Sequence, residues 1–426
     1  MLNMNVNSAK RRLRPLYFRA LSKKANFDHD LMHISEKPGQ YNHVLLVCID
    51  ALRPDSVPDL PLYWSEAVSG STWTFPSVTS FLTGKYPHEH GSVAHTMVDD
   101  DSFAMPEQFN QNMSLPEVFE KYGYSTLGLF GFPMPFMASK TWFMKHRVWA
   151  DEPAETLSEY YRSWRKSKDK TFAYLHLGDL HAPVEPPQRF IEARDVDTDL
   201  PHLPVIKKYT RSYNASNECK YYRKNKLRLY QAALDYVSES LRKLSKDENT
   251  LFVLIGDHGE AFWEHYQIDH EFTDSRPNYG VGHGGTPFDK VARVPVGTNN
   301  KKLQPSGGYA SLIDLPATLI EYIFNENIDT SGMSWRHNLP EDRAVLCEGV
   351  RYGPERKAVY KNGKKLIHSK HDNISLAACV TDDGENFDPN IDVTKLSHSL
   401  PDSWEQNSEG STSQMVQDQL EALGYK

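Results

Sequence analysis

Four continuous apolar runs within the first 260 residues constrain the fold more than any other feature of this sequence. Each run is apolar at nearly every position and ends in glycine or aspartate, which is typical of a strand buried on both faces of a parallel sheet. Segments with helical spacing of apolar residues separate the runs. This alternation predicts an α/β fold with a mostly parallel central sheet flanked by helices. The four runs are HVLLVCID (43–50), STLGLFG (125–131), TFAYLHLGD (171–179) and TLFVLIGD (250–257).

The pattern changes after residue 330, where short strand-like runs and polar loops replace the alternation. The segment AVYKNGKKLIH places Asn362-Gly363 between two such runs, which predicts a β-hairpin. The amphipathic segment SQMVQDQLEALGYK closes the chain and predicts a terminal helix. We therefore expect three parts: a basic N-terminal arm (1–40), a main α/β domain (41–330) and a small C-terminal α+β subdomain with the terminal helix (331–426).

Basic residues in the N-terminal arm alternate with apolar ones. We favour a helix that packs on the main domain and leaves its basic face in water. The alternative is a reversible peripheral contact with anionic lipid or with a polyanionic substrate. The basic residues are Lys10, Arg11, Arg12, Arg14, Arg19, Lys23 and Lys24.

Charge and composition narrow the classes of protein. A net charge of −8 over 426 residues disfavours a dedicated nucleic-acid binder. No run reaches the roughly 18 apolar residues that a membrane-spanning helix needs, and no hydrophobic segment of a secretory signal is visible. Four widely spaced cysteines without a C-x-x-C pair predict reduced thiols. Together these features predict a cytoplasmic protein.

Acidic residues end three of the four buried strands, and histidines stand beside two of them. They are Asp50, Asp179 with His181, and Asp257 with His258. Because the carboxyl ends of parallel strands meet at one edge of a sheet, we expect these side chains to converge. His283, in the glycine-flanked stretch GVGHGG, adds an imidazole on a loop that can approach a ligand closely. Mixed Asp/His ligation favours zinc or manganese, with calcium or magnesium as the alternatives.

Thr74 opens the stretch TFPSVTSFLTG, which has the pattern of a turn that leads into a helix. Such a threonine is, by itself, more often a helix N-cap than a nucleophile, and it can also be the remnant of a nucleophile. Its hydroxyl becomes an effective nucleophile when an adjacent base or metal lowers its pKa. The N–H groups that open a helix also suit an anion. These residues suggest metal-assisted attack on an anionic ester.

Six separated blocks resemble, in order and approximate spacing, those of the sulfatase family within the alkaline phosphatase superfamily. The resemblance runs from about Asn42 to the terminal LEALGY, and it implies the fold of that superfamily and the hydrolysis of ester bonds. The blocks are VCIDALRPD, TFPSVTSFLTGKYPHEHG, YLHLGDLHAPVEPP, LIGDHGEAFWEH, GHGGTPFDKVARVP and SLIDLPATL.

The nucleophile motif departs from that of an orthodox sulfatase, which is Cys or Ser followed by a small residue, Pro, Ser and Arg. Here Thr74 takes the nucleophile position, where it cannot become formylglycine, and Val78 takes the place of the arginine. The paired aspartates after the first strand are reduced to Asp50-Ala51. These departures resemble another branch of the superfamily, the metal-dependent phosphodiesterases and the phosphoethanolamine or phosphoglycerol transferases, which use a threonine nucleophile.

The resemblance implies a role for each matching residue. The metal activates the nucleophile, and the remaining histidines hold the substrate anion or a second metal. Arg53 is expected either to contact the substrate or to form a surface ion pair. The implied catalytic residues are Thr74, His181 and His283; the implied metal ligands are Asp50, Thr74, Asp257, His258 and Asp179; and the implied substrate contacts are Lys85 and Arg53.

The leading hypothesis is a metal-dependent hydrolase of phosphate or sulfate esters that acts through Thr74 and a covalent intermediate, with phosphoesters preferred. The alternatives are a sulfatase without formylglycine, a soluble phosphoethanolamine- or phosphoglycerol-type transferase, and a catalytically silent sulfatase-like scaffold. The expected partner is an anionic ester of a small molecule, glycan or lipid headgroup, and not nucleic acid. Two neighbouring residues have structural interpretations: His176 as a core histidine and Glu260 as a partner of the loop around His258.

Overall fold

The computed structural model describes residues 2–94, 105–111, 113–205, 217–276, 280–382, 384–402 and 416. The strands are β1 (His43–Ile49), β2 (Tyr63–Val68), β3 (Ser125–Phe130), β4 (Lys145–Val148), β5 (Thr171–Leu177), β6 (Thr250–Gly256), β7 (Ala261–Phe262), β8 (Val281–Gly282), β9 (Arg293–Thr298), β10 (Val345–Cys347), β11 (Arg356–Lys361), β12 (Lys364–Ser369), β13 (Ile374–Thr381) and β14 (Gly384–Phe387). The α-helices are α1 (Leu2–Asp28), α2 (Thr74–Thr83), α3 (Pro87–His90), α4 (Leu115–Lys121), α5 (Pro133–Ser139), α6 (Ala154–Arg165), α7 (Gln188–Ala193), α8 (Asn217–Ser245), α9 (Tyr266–Asp269), α10 (Asp289–Ala292), α11 (Leu315–Phe324) and α12 (Thr394–Ser397).

A seven-stranded sheet with the order β2-β9-β6-β1-β5-β3-β4 forms the centre of the fold. The four apolar runs are the four adjacent strands β6, β1, β5 and β3, and they pair in parallel. β4 also joins in parallel, whereas β9 pairs antiparallel with both β6 and β2. The predicted α/β fold with a mostly parallel central sheet is confirmed.

Helices cover both faces of this sheet. Side chains of α6 and α8 pack on one face, and those of α2, α4, α5 and α11 pack on the other. The strands therefore bury both faces, which explains why the runs are apolar at successive positions rather than at alternate ones. Along β1, Val44, Leu46 and Cys48 belong to one core, and Leu45, Val47 and Ile49 belong to the other.

α1 lies against β4, the last strand of the sheet, as the favoured interpretation of the N-terminal arm predicts. Phe18 is buried in the core beneath it. Two polar side chains of the helix accept hydrogen bonds from the outer strand: Ser22 Oγ from Val148 N at 2.9 Å and Asn26 Oδ1 from His146 N at 2.5 Å. The helix thus satisfies backbone groups that an edge strand would otherwise present to another chain.

The C-terminal region forms a second, antiparallel sheet with the order β10-β11-β12-β13-β14. The predicted hairpin is present between β11 and β12, and Asn362 (φ 52°) and Gly363 (φ 69°) both adopt the left-handed conformation that a two-residue turn requires. The predicted terminal helix lies outside the described residues, apart from Val416. This second sheet packs through Val345, Cys347 and other apolar residues against the end of β2 and against α10.

Two features bear on the sequence-based expectations about membranes and disulfides. Among the helices in the described ranges, none combines the length and apolarity needed to cross a bilayer. The four cysteines form no disulfide, and three of them are buried.

Candidate active site

Two neighbouring strands bring two of the three predicted acids together. β1 pairs with β5 on one side and with β6 on the other, with Ile49 opposite both Leu177 and Gly256. Asp50 and Asp257 are the residues that follow Ile49 and Gly256, so their carboxylates lie side by side at the carboxyl edge of the sheet. Both side chains are completely buried.

Thr74 is the first residue of α2, and Trp73 takes the N-cap position before it. The hydroxyl of Thr74 therefore does not cap the helix. Instead it donates a hydrogen bond to Asp50 Oδ2 at 3.0 Å and lies 3.3 Å from His258 Nε2. The structure thus aims this hydroxyl at the carboxylates at the sheet edge.

Asp50, Asp257 and His258 offer ligand atoms that all lie within 4.8 Å of one another. His258 Nε2 is 3.6 Å from Asp50 Oδ1 and 3.4 Å from Asp257 Oδ2. These two carboxylate oxygens are buried and have no hydrogen-bond partner among the described residues. Two adjacent buried carboxylate oxygens and an imidazole nitrogen are a donor set that fits a divalent cation.

Backbone groups hold this donor set in place. Asp257 Oδ1 accepts from the N–H groups of Ala51 at 3.3 Å and His258 at 3.0 Å, which leaves its other oxygen directed at the cluster. Ala51 has a left-handed backbone (φ 58°). His258 Nδ1 bonds to the carbonyl oxygen of Gly259 at 2.9 Å, so Nδ1 carries the proton and Nε2 has a lone pair for a ligand.

His176 is completely buried with both ring nitrogens hydrogen-bonded, as its interpretation as a core histidine predicts, and it also belongs to the cluster. Its Nε2 lies 3.0 Å from Asp50 Oδ2, and its Nδ1 lies 2.5 Å from the hydroxyl of Tyr174. Together with Cys48 and Asp257 it forms a second group of ligand-type atoms within 4.8 Å. The side-chain alternation of the strands explains this position. His176 lies opposite Cys48 in the neighbouring strand, and Cys48 and Asp50, two residues apart, point to the same face of the sheet.

Of the two other predicted histidines, His283 lies next to His258, and His181 lies next to His283. The His283 ring centroid is 4.3 Å from that of His258 and 4.9 Å from that of His181. His283 Nδ1 is 2.8 Å from Glu260 Oε2, so Glu260 orients this imidazole. The prediction was that Glu260 bonds to the loop around His258; within the described ranges its side chain contacts His283 instead. The structure therefore assembles three imidazoles above the two carboxylates.

Three predicted site residues lie elsewhere. Asp179 accepts from the backbone N–H of Ala154 at 3.2 Å and so caps the start of α6, which draws it away from the metal-ligand group. Lys85 follows the C-terminal end of α2 and lies 3.7 Å from Asp329. It is therefore separated from Thr74 by the length of that helix, about 15 Å.

Arg53, the third of them, is buried in ion pairs and is not at the surface or at the cluster. Its guanidinium donates to Asp55, to Glu264 at 2.9 Å and to the carbonyl oxygen of Glu260 at 2.6 Å. It stiffens the loop that carries Glu260, which corrects the expectation of a direct substrate contact. Neither of the two predicted substrate cations lies beside Thr74.

The electrostatics of the site favour a bound cation. Burial opposes ionisation of Asp50, but hydrogen bonding from His176 and the nearby imidazoles outweigh it and hold the pKa of Asp50 below its usual range. Burial and the charge of Asp50 raise the pKa of Asp257 well above its usual range. Burial lowers the pKa of His258 to about 3 and that of His283 to about 4, so both imidazoles are neutral near pH 7. Two adjacent carboxylates ionise together only when a positive charge lies between them.

Comparison with proteins of known structure finds the same fold. The chain superposes on a structure of BT4656 in complex with its substrate D-glucosamine-2-N,6-O-disulfate, with a TM-score of 0.57, 13% identity, and coverage of 81% of this chain and 91% of the other. For the phosphonate monoester hydrolase of Agrobacterium radiobacter the TM-score is 0.54 with 14% identity, covering 80% and 89% of the two chains. For an alkaline phosphatase superfamily protein from Vibrio parahaemolyticus the corresponding values are 0.53, 16%, 90% and 92%. At these identities the likeness establishes the fold.

Sequence comparison gives the family. No curated protein sequence matches this chain significantly. The profile of the Sulfatase family matches residues 52–323, which is more than half of the chain, and the resemblance found in the six sequence blocks is thereby confirmed. The chain belongs to the Sulfatase family of ester hydrolases.

Proposed function

We propose that this protein is a metal-dependent hydrolase of phosphate or sulfate esters in which Thr74 is the nucleophile. One observation carries the proposal. The Thr74 hydroxyl lies 3.0 Å from Asp50 and 3.3 Å from His258, two members of a buried group of metal-type ligands. A threonine placed only to start a helix has no need of these neighbours.

Asp50, Asp257 and His258 would hold the metal, with the Thr74 hydroxyl beside them. A divalent ion there supplies Lewis acidity, which lowers the pKa of a nearby hydroxyl and offsets the charge of an anionic ester. Zinc and manganese suit the mixed carboxylate and imidazole donors best, and magnesium or calcium would suit them less well.

The side chains present account for the proton and the charge in the reaction. Thr74 gives up its proton to Asp50 Oδ2, to which its hydroxyl already donates, and its Oγ1 forms a bond to phosphorus or sulfur as the bond to the leaving alcohol breaks. The imidazoles of His181 and His283 lie beside the anion, and the leaving oxygen takes a proton from water. Water then cleaves the ester formed at Thr74 and regenerates its hydroxyl.

We propose phosphoesters as the preferred substrates. A phosphate monoester carries more negative charge than a sulfate monoester, and the site lacks the arginine that follows the nucleophile motif in sulfatases, since Val78 stands there. Sulfate ester hydrolysis without formylglycine is the second candidate, favoured by similarity to a protein whose substrate is D-glucosamine-2-N,6-O-disulfate and to a 2-O GAG sulfatase.

A transferase and a catalytically silent scaffold receive less support. A soluble transferase would use the same nucleophile and pass the group to an acceptor other than water. A silent scaffold has no physical reason to keep two adjacent carboxylates completely buried, because their mutual repulsion destabilises the folded chain.

Turnover of aryl phosphate, bis-aryl phosphate and aryl sulfate with zinc, manganese, magnesium or calcium tests the proposal. We expect Thr74→Ala to lower phosphoester turnover by at least about 1,000-fold, because the nucleophile is lost. Thr79→Ala is the matched control, since Thr79 is buried in the same helix and donates only to the carbonyl oxygen of Phe75. It should leave turnover unchanged.

Three outcomes would contradict parts of the proposal. Sulfate ester turnover that survives Thr74→Ala would exclude the threonine mechanism. Transfer of the phosphoryl group to an added alcohol faster than to water would favour the transferase. Absence of turnover together with absence of bound metal in the purified protein would favour the scaffold.

A further inference from the structure

We propose that Arg351, from the C-terminal subdomain, binds the anionic group of the substrate beside Thr74. This inference rests on the proposed ester hydrolysis and deepens it. The two cations that the sequence suggested for this task, Lys85 and Arg53, lie elsewhere, and Val78 stands where sulfatases have an arginine. Arg351 would supply the missing positive charge from another part of the chain.

Backbone hydrogen bonds dock the segment that carries Arg351 directly onto the active-site loops. The N–H of Arg351 donates to the carbonyl oxygen of Gly284 at 2.7 Å, and the N–H of Gly284 donates to that of Thr72 at 2.7 Å. Nearby, the N–H of Glu348 donates to the carbonyl oxygen of Gly70 at 2.9 Å. Three distant segments of the chain are therefore fixed relative to one another at this point.

Arg351 contacts two residues, each of which is adjacent in sequence to a residue of the site. Its guanidinium carbon is 5.3 Å from the centre of the Trp73 ring, and Trp73 immediately precedes Thr74. Gly284 immediately follows His283, and a side chain at Gly284 would approach Arg351 Cβ to 2.9 Å. This glycine, with φ of +74°, is thus what lets Arg351 come so close to the site.

The surroundings of Arg351 suit an anion. Arg351 is only 1% exposed, so its charge acts in a medium that screens it weakly. Two further donors, Thr72 Oγ1 and Trp73 Nε1, lie on the loop that precedes α2. Both are buried and have no hydrogen-bond partner among the described residues. A guanidinium with neighbouring O–H and N–H donors matches the oxygens of a phosphate or sulfate group.

This placement predicts which substrates depend on Arg351. A phosphate monoester is a dianion at neutral pH and carries one more negative charge than a diester. Loss of the guanidinium should therefore weaken monoester hydrolysis more than diester hydrolysis. The expected loss for a charge-assisted contact is about 10- to 100-fold in kcat/KM for aryl phosphate.

Calorimetric titration of the metal-loaded, full-length protein with inorganic phosphate gives a test that does not depend on turnover. Arg351→Met should weaken phosphate binding by about 10- to 100-fold. Arg351→Lys keeps the positive charge but loses the planar guanidinium, so it should weaken phosphate binding less. This variant keeps the test valid if Arg351→Met fails to fold. Arg189→Met is the control, because Arg189 is 65% exposed and pairs with Glu239 at the surface. In Arg351→Ala, added methylguanidinium should restore part of the aryl phosphate turnover.

The two proposals fail in different ways. Phosphate binding by Arg351→Met that equals wild type, or wild-type protein that binds neither phosphate nor sulfate, overturns the role of Arg351. Ester turnover that needs Thr74 but is unaffected in Arg351→Met overturns it as well, while the proposed hydrolysis stands. Arg351-dependent phosphate binding without turnover of any ester supports the role of Arg351 and overturns the hydrolysis.

Discussion

At the scale of single residues, the site depends on side chains that fix one another's orientation. Asp50 Oδ2 is hydrogen-bonded to both the Thr74 hydroxyl and His176 Nε2. The other ring nitrogen of His176, Nδ1, is hydrogen-bonded to the hydroxyl of Tyr174. These bonds set which oxygen of Asp50 is left to face the cluster. The buried network thus prepares the geometry before any ligand arrives.

Glu260 is a positioning residue for His283 in this network. Glu260→Gln keeps the size of the side chain and removes the carboxyl group that orients the imidazole, which lies 2.8 Å away. We expect kcat for aryl phosphate to fall about 10- to 100-fold with little change in metal content. Steady-state kinetics and metal analysis of the purified variant check this expectation.

A second acid on the same loop gives the matched control. Glu264 binds Arg53 and Arg223 through ion pairs and serves a different part of the loop. Glu264→Gln should leave kcat within a factor of about two if orientation of His283 is what matters. Equal losses in both variants would show that the loop, and not the Glu260–His283 contact, limits the reaction.

At the scale of secondary-structure elements, α1 closes the β4 edge of the central sheet. Beyond its last residue, His29 is buried, with Nε2 2.7 Å from Glu120 Oε2 and Nδ1 2.6 Å from the carbonyl oxygen of Thr141. This pair of contacts fastens the end of the arm to α4 and to the loop before β4. Burial by itself lowers the pKa of His29, but the bond to Glu120 and the other acidic and carbonyl oxygens raise it above its usual value.

The raised pKa of His29 predicts a pH-dependent stability. The folded protein binds the His29 proton more tightly than the unfolded chain does, so the stabilisation is complete below pH about 6.5 and is lost as pH rises through the folded-state pKa. His29→Gln should cost about 1–2 kcal/mol at pH 6. The difference from wild type should shrink at pH 9.

Urea unfolding at the two pH values measures this difference. His33→Gln serves as the control, because His33 lies in the same segment and is exposed. A loss that is the same at pH 6 and pH 9 would mean that packing, rather than the charge on His29, makes the contribution.

At the scale of the whole molecule, buried ion pairs join the C-terminal sheet to the main domain. Lys365 of β12 contacts Asp289 of α10 at 2.9 Å and Glu385 of β14 at 2.5 Å, and Lys365 is completely buried. Arg343 binds Asp314 at 2.6 Å, just before α11. Because the same subdomain carries Arg351, these contacts also fix the proposed anion contact relative to Thr74.

Lys365→Met should destabilise the protein by about 3–5 kcal/mol, because it removes the buried ammonium that Asp289 and Glu385 share and leaves Asp289 with Arg293, at 3.3 Å, as its cation. Lys364→Met, at the neighbouring exposed position, is the control and should change stability by less than about 0.5 kcal/mol. Chemical unfolding of both variants measures the effect. Equal stability of wild type and Lys365→Met would show that the ionic network contributes nothing to the attachment of the subdomain.

Local sequence patterns are sufficient to predict the parallel sheet, its four central strands, the hairpin at Asn362-Gly363, and the family. Strand periodicity, apolar runs and turn residues are local properties, so they can be recognised without knowing which segments meet. The same logic placed Asp50, Asp257 and His258 at one sheet edge, because parallel strands direct their carboxyl ends to a common side, and the family resemblance added Thr74 to them.

Packing between segments that are distant in sequence selects which charged and imidazole groups lie at that edge of the sheet. Asp179 follows a strand as Asp50 does, yet it is drawn to the start of α6, and Arg53 is held by Asp55 and Glu264. His176 enters the cluster from within a strand. Arg351 approaches Trp73 from a subdomain nearly 280 residues away in sequence. The physical reason is that a long or polar side chain takes the partner that offsets its burial best, and that partner is set by packing between distant segments and not by local sequence.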